Sequence, residues 1–266
     1  MDDHSPARLF ASTAPYYARH RAGYPPALIT HLATQLGLDE TQITLDLGTG
    51  TGAIAIPLAE HVRKVIAVDP NPGMLDEGRK LAAERDITNI DWRLGDSHHL
   101  DDLSLEPLQL VTLAQSFHWT DRATLLSSLD KLVTPGGAVA VIGGPAPGTI
   151  EPPTWLDVVT EVRTRYLGPE RRAGSGTYTH PQEGHQEVLA RSPFSHIEVA
   201  TWDHTITRDL DSVIGLQFSY SYSSPAQLGD QKDAFERDLR QALTDFNSGG
   251  TFDELVRTEA IIATRP

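Results

Sequence analysis

The stretch "LDLGTGTGAIAIPLAE", residues 45–60, runs an apolar segment into a turn built from three glycines and two threonines, and then into helix-like sequence. Glycine adopts backbone angles closed to other residues and lets other groups come close to the main chain, so this turn sets what can follow the first strand. Working outward from it, "TQITLDLG" reads as a short strand feeding the turn, and "AIAIPLAEHV" as the helix leaving it. Pro57 fits that helix only within its first turn or at a kink. Upstream, "YPPALITHLATQLGL" is a helix with prolines at its start and Gly37 near its end.

Downstream the units repeat. "KVIAVD" is a second buried strand, "NPGMLDEGRKLAAE" a helix, "ITNIDWRLGD" a third strand ending on Asp96, and "LQLVTLAQS" a fourth. "DRATLLSSLDKLV" is a helix and "TPGGAVAVIGG" a turn and fifth strand. Alternating strands and helices predict an α/β fold with a doubly wound, mostly parallel sheet. Past residue 143 the pattern changes. "TWLDVVTEVRTRYL" and "AFERDLRQALTDF" are helices, while "HIEVATWDHTIT" and "EAIIATR" are strands. The expected sheet is thus seven-stranded, with an antiparallel C-terminal edge strand and a helical cap. Residues 1–143 read as N-terminal helices and the ligand-binding core. Residues 144–193 read as a cap insertion, and 194–266 as C-terminal strands of the core sheet with a second cap segment at 211–250.

The composition narrows the function. The 266 residues include 36 acidic and 22 basic side chains, for a formal net charge of −14, so a nucleic-acid partner would be repelled. There is no cysteine, which excludes disulfides, thiolate metal sites and cysteine nucleophiles. No membrane partner is expected, and "MDDHSPARLF" lacks a signal-peptide core, so the expected location is cytoplasmic. No histidine pair has metal spacing with a carboxylate partner, so no metal is expected. Oligomeric state is left open.

The turn itself fits two ligands. Gly48, Gly50 and Ala53 match the dinucleotide fingerprint G-x-G-x-x-A, and Asp69 follows about 20 residues on. Backbone N–H groups at a helix N-terminus would then face the ligand. Asp46, two residues before Gly48, argues otherwise: a carboxylate there opposes a pyrophosphate but suits a cationic sulfonium. Asp96 in "LGDS" supplies another carboxylate at a strand end.

Together "LDLGTGTG", "VIAVDPNPGML", "LGDS", "LVTLAQSFHW" and "LVTPGGAVAVI" resemble the class I S-adenosylmethionine-dependent methyltransferases, in particular the small-molecule group called type 11, which includes relatives of trans-aconitate methyltransferase. The likeness covers residues 10–143 and beyond that only strand order and layout. It implies S-adenosylmethionine as cofactor and in-line methyl transfer to an oxygen, nitrogen or carbon of a small-molecule acceptor. By this resemblance Gly48, Thr49, Gly50 and Gly52 wrap the methionine part. Asp69 holds the ribose hydroxyls, Met74 lies on the adenine face, Asp96 and Ser97 read the adenine edge, and Gln115 sits near the sulfonium. "YYARHRAGYP" resembles the segment that folds over the cofactor as a lid, which places Tyr17 and Arg21 at its amino-acid end, Arg21 on the carboxylate.

The acceptor side rests on residue chemistry. His118 in "SFHWTD" follows the fourth strand and is the first candidate for a general base, should the acceptor carry a proton. His180 and His185 belong to the expected cap. Trp119, with Phe218, Tyr220 and Tyr222 of the alternating "FSYSY" run, is a candidate acceptor wall. Arg163 and Arg165 are candidates for an anionic acceptor. Two other functions share the turn: a protein that binds S-adenosylmethionine without transferring methyl, as a cyclase or regulator, and an NAD(P)-dependent oxidoreductase.

Overall fold

The computed structural model describes residues 13–145, 148–170 and 183–266, with the backbone of 172–173 and 176–177. His180 lies outside the described residues. In chain order the elements are α1 (Ala14–His20), α2 (Pro26–Gln35), β1 (Ile43–Leu47), α3 (Ala55–Leu58), β2 (Lys64–Asp69), α4 (Pro72–Ala83), β3 (Ile90–Leu94), β4 (Leu108–Ala114), α5 (Arg122–Leu129) and β5 (Val133–Gly143). They continue with α6 (Trp155–Leu167), the two-residue strands β6 (Arg172–Ala173) and β7 (Gly176–Thr177), α7 (His185–Ala190), β8 (His196–Asp209), α8 (Leu210–Phe218), α9 (Pro225–Leu228), α10 (Lys232–Phe246) and β9 (Thr251–Thr264). Among the described residues, no helix is long and apolar enough to cross a membrane.

The main sheet has seven strands in the order β3-β2-β1-β4-β5-β9-β8. β1 to β5 pair in parallel, and β9 runs antiparallel to β5, with Ala138 opposite Thr264 and Gly143 opposite Glu259. The expected doubly wound architecture is therefore present. From β1 the chain builds outward through β2 to β3, then returns to the other side of β1 for β4 and β5. The reversal between β1 and β4 leaves a crevice outside the strand C-termini, where such sheets bind ligands.

The chain divides into two compact units. One comprises Gly23–Pro145, His180–Trp202 and Thr258–Pro266. Strands β1, β2 and β4 are buried along nearly their whole length, hence their near-continuous apolar sequence. Leu45, Leu47, Ile66 and Val68 pack with Leu125, Leu126 and Leu189 on one side. Val65, Ala67, Ala138 and Ala140 pack with Leu28, Leu32 and Leu58 on the other. Arg265 fastens the last strand to the start of β5: Nε donates to Asp130 Oδ1 at 2.7 Å, Nη1 to the Thr134 carbonyl and Nη2 to those of Asp130 and Val133.

The second unit comprises Met1–Ala22, Ala146–Thr179 and Asp203–Arg257. Its core joins Trp155, Val159 and Val162 of α6, Val213, Ile214 and Phe218 of α8, and Phe235, Leu239 and Leu243 of α10. The spacing 235, 239, 243 is the i, i+4, i+8 stripe of one helix face. Here the structure departs from the reading of Phe218 in the alternating "FSYSY" run as an acceptor wall, because Phe218 closes the helix α8. A helical turn aims Phe218 inward, where it is 2% exposed and packs against Tyr16 and Phe235. Phe218 is thus core and not a pocket wall.

Replacing Arg265 with methionine keeps the packing over Phe194 and removes all four hydrogen bonds. We expect a loss of about 2 kcal/mol in urea unfolding. Unchanged stability would show that β9 is held by strand pairing alone.

Candidate functional site

The parallel strands end at one edge, and β1, β2, β3 and β4 have polar residues at or just beyond their ends there. β1 leads into the glycine turn, in which Gly48, Gly50 and Gly52 have φ of 74°, 55° and 82°. Side chains rarely adopt such angles. Packing adds a second constraint. A Cβ on Gly48 would lie 2.4 Å from Ser116 Cβ, and one on Gly52 would lie 2.6 Å from the Trp92 ring. The helix after the turn is a single turn, Ala55–Leu58, continuing as 3-10 helix over Ala59–His61, so Pro57 does fall within its first turn.

Four of the turn's N–H groups are bonded within the protein. Gly48 and Thr49 both donate to the Val68 carbonyl, at 2.8 and 2.9 Å, and Gly52 donates to the Thr49 carbonyl. Gly50 donates to Asp69 Oδ2 at 2.8 Å. The glycines therefore shape the turn and do not present a row of donors. Asp46 is a brace. It is 1% exposed and accepts from the hydroxyls of Thr49 at 2.6 Å and Thr112 at 2.7 Å. Burial pushes its carboxyl upward against the opposing pull of those hydroxyls and the Ala55 N–H.

What remains at the edge is acceptor capacity. Asp69, at the end of β2, takes the Gly50 N–H on Oδ2 and the Asn71 N–H on Oδ1 at 2.9 Å. A carboxylate has about four lone-pair sites, so two are left. Burial raises this carboxyl to about 6, the hydrogen bonds from Asn71 and Gly50 pull it down, and the Asp46 charge adds to the rise. β3 stops at Leu94, so Asp96 lies in the following loop and not at the strand's end as expected. Its Oδ1 accepts the His98 N–H and His99 Nδ1, both at 2.9 Å. Partial burial would raise the Asp96 carboxyl, but the His99 and His98 hydrogen bonds and their charges outweigh it and hold it below the usual range. Ser97 lines a cavity of about 100 Å³ with His98, Asp101 and Asp121.

Met74, on the first turn of α4, is 3% exposed, and its N–H is capped by Asn71 Oδ1 at 3.2 Å. Gln115 closes β4 with φ of 56°, unusual for a residue with a side chain, and is exposed. Non-glycine residues held at such angles cluster at functional sites. Ser116, which the sequence reading passed over, donates to the Leu47 carbonyl at 2.6 Å and so ties the ends of β4 and β1. His118 and Trp119 follow on a one-turn 3-10 helix anchored by buried Phe117, their rings 5.2 Å apart. Thr112 and Trp92 were also missed. The signals were a buried threonine in an apolar strand and a lone tryptophan facing a glycine turn.

The remaining candidates belong to the second unit. Arg21 Nε donates to Ser219 Oγ, and the guanidinium lies over Tyr17 and Tyr220. Tyr220 and Tyr222 stack at 5.0 Å. Arg163 is not a solvent-facing anion receptor: it is 4% exposed and donates to the Gly168 carbonyl. Arg165 pairs with Glu161 at 2.7 Å. His185, in the first unit, donates no base function that its surroundings favour. Burial and the Arg122 charge lower its basicity, and it packs on Phe117.

Residues 44–137 match a family described as a methyltransferase domain. Over 221 residues the chain is 28% identical to an uncharacterised methyltransferase of Mycobacterium tuberculosis, covering 82% of this chain and 80% of that one. It is 29% identical over 160 residues to an uncharacterised methyltransferase-like protein of Schizosaccharomyces pombe, covering 60% of this chain and 59% of the relative's length. A solved structure of a candidate type II methyltransferase from Anaeromyxobacter dehalogenans shares the fold, with a TM-score of 0.57 at 20% identity over 92% of this chain and 97% of that one.

Gly52→Ala should lose about 2 kcal/mol or more, from the left-handed backbone and the clash with Trp92. The double variant with Trp92→Leu should recover the steric part alone. Full stability of Gly52→Ala would mean that the turn is not under this constraint.

Proposed function

We propose that the chain is a class I S-adenosylmethionine-dependent methyltransferase that methylates an oxygen, nitrogen or carbon of a small-molecule metabolite by in-line displacement. One observation carries the reading: at the strand edge the N–H groups of Gly48, Thr49, Gly50 and Gly52 are given to protein acceptors while carboxylate lone pairs on Asp69 and Asp96 remain. A pyrophosphate needs the opposite set, so this edge suits a cationic nucleoside better than a dinucleotide. The acidic chain favours a small acceptor over a nucleic acid.

S-adenosylmethionine supplies, when bound, a methyl group on a sulfonium that is already a good leaving group. The protein's part is to hold, align and exclude water, which can contribute roughly 7–11 kcal/mol in favourable cases. In this reading the Asp69 carboxylate accepts from the ribose hydroxyls, and Asp96 with Ser97 recognises the adenine edge. Met74 backs the adenine face, and Gly48, Thr49, Gly50 and Gly52 form the wall along the methionine part. Thr49 contributes backbone only, because its hydroxyl is given to Asp46. Gln115 borders the reacting centre. His118 takes a proton from acceptors that carry one, and Trp119 borders the acceptor.

Thermal unfolding in parallel wells tests the cofactor. S-adenosylhomocysteine at 100 times its Kd adds about 2.7 kcal/mol, a rise of roughly 5–10 °C for a chain of this size. NAD and NADP should leave the midpoint unchanged; a rise with either of them alone would overturn the reading. Release of S-adenosylhomocysteine on adding metabolite pools then tests transfer.

Asp69 also makes binding depend on pH. Its folded carboxyl, about 6, stands above the ordinary 3.8. The folded chain therefore keeps a proton that the unfolded chain has lost between those values. The resulting stabilisation is complete below the lower value and gone above the upper one. Hydroxyl donors need the ionised form, so affinity for S-adenosylhomocysteine should be greatest above pH 6 and fall by up to tenfold per unit below it. Asp69→Asn should bind weakly and lack this inflection. An inflection that survives in Asp69→Asn would assign it to another group.

A further inference from the structure

Asp96 spends one oxygen and keeps the other. Oδ1 accepts the His98 N–H and His99 Nδ1, both at 2.9 Å, while Oδ2 accepts nothing among the described residues. Adenine has two hydrogens on its amino nitrogen, and a single carboxylate oxygen takes one of them. The other must find space or a partner beyond Asp96.

The protein does not close that space. The next residue, Ser97, lines the cavity of about 100 Å³ that reaches across to α5, and every residue around it belongs to the first compact unit. The buried part of the lining is apolar: Leu100 is 5% and Leu125 2% exposed. The outer part is polar, with the hydroxyls of Ser97 and Ser128 and the carboxylate of Asp121. Asp121 caps α5 and is fixed there by the Thr124 N–H at 3.2 Å and the Thr124 hydroxyl at 2.9 Å. Two of its lone-pair sites are left. Water fills such a space poorly on the leucine side, because each molecule needs about two to four polar partners. The volume holds about three groups of the size of a water, at ~30 Å³ each. That is a short arm, apolar along its stem and polar at its tip.

We propose that this cavity is a second chamber of the adenine subsite, and that it receives a short substituent on the amino nitrogen of the base. This rests on the reading above, in which Asp96 and Ser97 recognise the adenine edge, and it adds a ligand class: sulfur nucleotides whose adenine carries one small hydroxyalkyl arm. One amino hydrogen stays with Asp96 Oδ2. The methylenes of the arm lie against Leu100 and Leu125, and its hydroxyl donates to Asp121 or accepts from Ser128. The plain nucleotide leaves the chamber to water, so both forms bind. Replacing both amino hydrogens removes the bond to Asp96.

The test uses the full chain and three probes: S-adenosylhomocysteine, its analogue with one hydroxyethyl group on the amino nitrogen, and its analogue with two methyl groups there. Titration calorimetry should give the hydroxyethyl analogue an affinity within about tenfold of S-adenosylhomocysteine. The dimethyl analogue should bind more weakly than the hydroxyethyl one, although it is smaller. Ser128→Phe fills the chamber. It should leave S-adenosylhomocysteine unchanged, which also reports that the variant is folded, and weaken the hydroxyethyl analogue by about tenfold or more. In spectra of leucine-methyl-labelled protein, the arm's methylene protons should show contacts to the Leu100 and Leu125 methyls, assigned by their loss in Leu100→Met and Leu125→Met. A larger loss of the hydroxyethyl analogue in the parent overturns the proposal. So does an arm that touches neither leucine, or a dimethyl analogue that binds as well as the hydroxyethyl one. S-adenosylhomocysteine is titrated first, so a parent protein that fails to bind it overturns the methyltransferase reading itself and is seen separately.

Discussion

The site depends on one carboxylate placed between two strands. Asp69 receives the Gly50 N–H on one oxygen and the Asn71 N–H on the other, and so joins the turn after β1 to the start of α4. The turn is also joined to β2 itself, where Gly48 and Thr49 share the Val68 carbonyl. A turn with three left-handed residues has little intrinsic stability, because glycine loses much freedom on folding. Its shape is therefore imposed from β2, and the ligand edge takes its form before any ligand arrives.

This arrangement also sets the polarity of the edge. The N–H groups of Gly48, Thr49, Gly50 and Gly52 are turned to protein acceptors, while Asp69 and Asp96 keep acceptor capacity. Three acids stand at or beside the strand ends, and burial raises two of them, Asp46 and Asp69, toward neutrality. A bound cation would favour their charged forms. The edge is thus electrostatically unsatisfied by itself, in the sense that suits a positively charged cofactor.

The sheet was legible because strands buried on both faces read as short apolar runs with glycine or proline between them. "KVIAVD" and "AVAVI" admit little else. Site residues at strand ends, Asp69 and Gln115 among them, could be placed for the same reason. Other features depended on partners far along the chain. Asp46 is braced by Thr112, and Gly48 is closed in by Ser116, contacts between β1 and β4 that no local pattern announces. In "GLQFSYSY" the aromatic alternation suggested one wall for three rings, of which Phe218 belongs instead to the core. The burial of this stretch, with six consecutive buried residues from Val213 to Phe218, is that of a helix surrounded on most sides. Local periodicity fails where burial is nearly all round.

The strand order carries a consequence for synthesis. β9 lies between β5 and β8, so β8 meets the sheet only through a strand made after it. On a growing chain, the parallel strands β1 to β5 can assemble while β8 still lacks its neighbour. Until β9 is made, the open flank of β5 exposes the backbone groups from Ala138 to Gly143 that will later pair with it. Unpaired strand edges invite association with other chains. The vulnerable period of this protein's life thus falls between the translation of β5 and that of β9, and it ends when one late strand is threaded between two earlier ones.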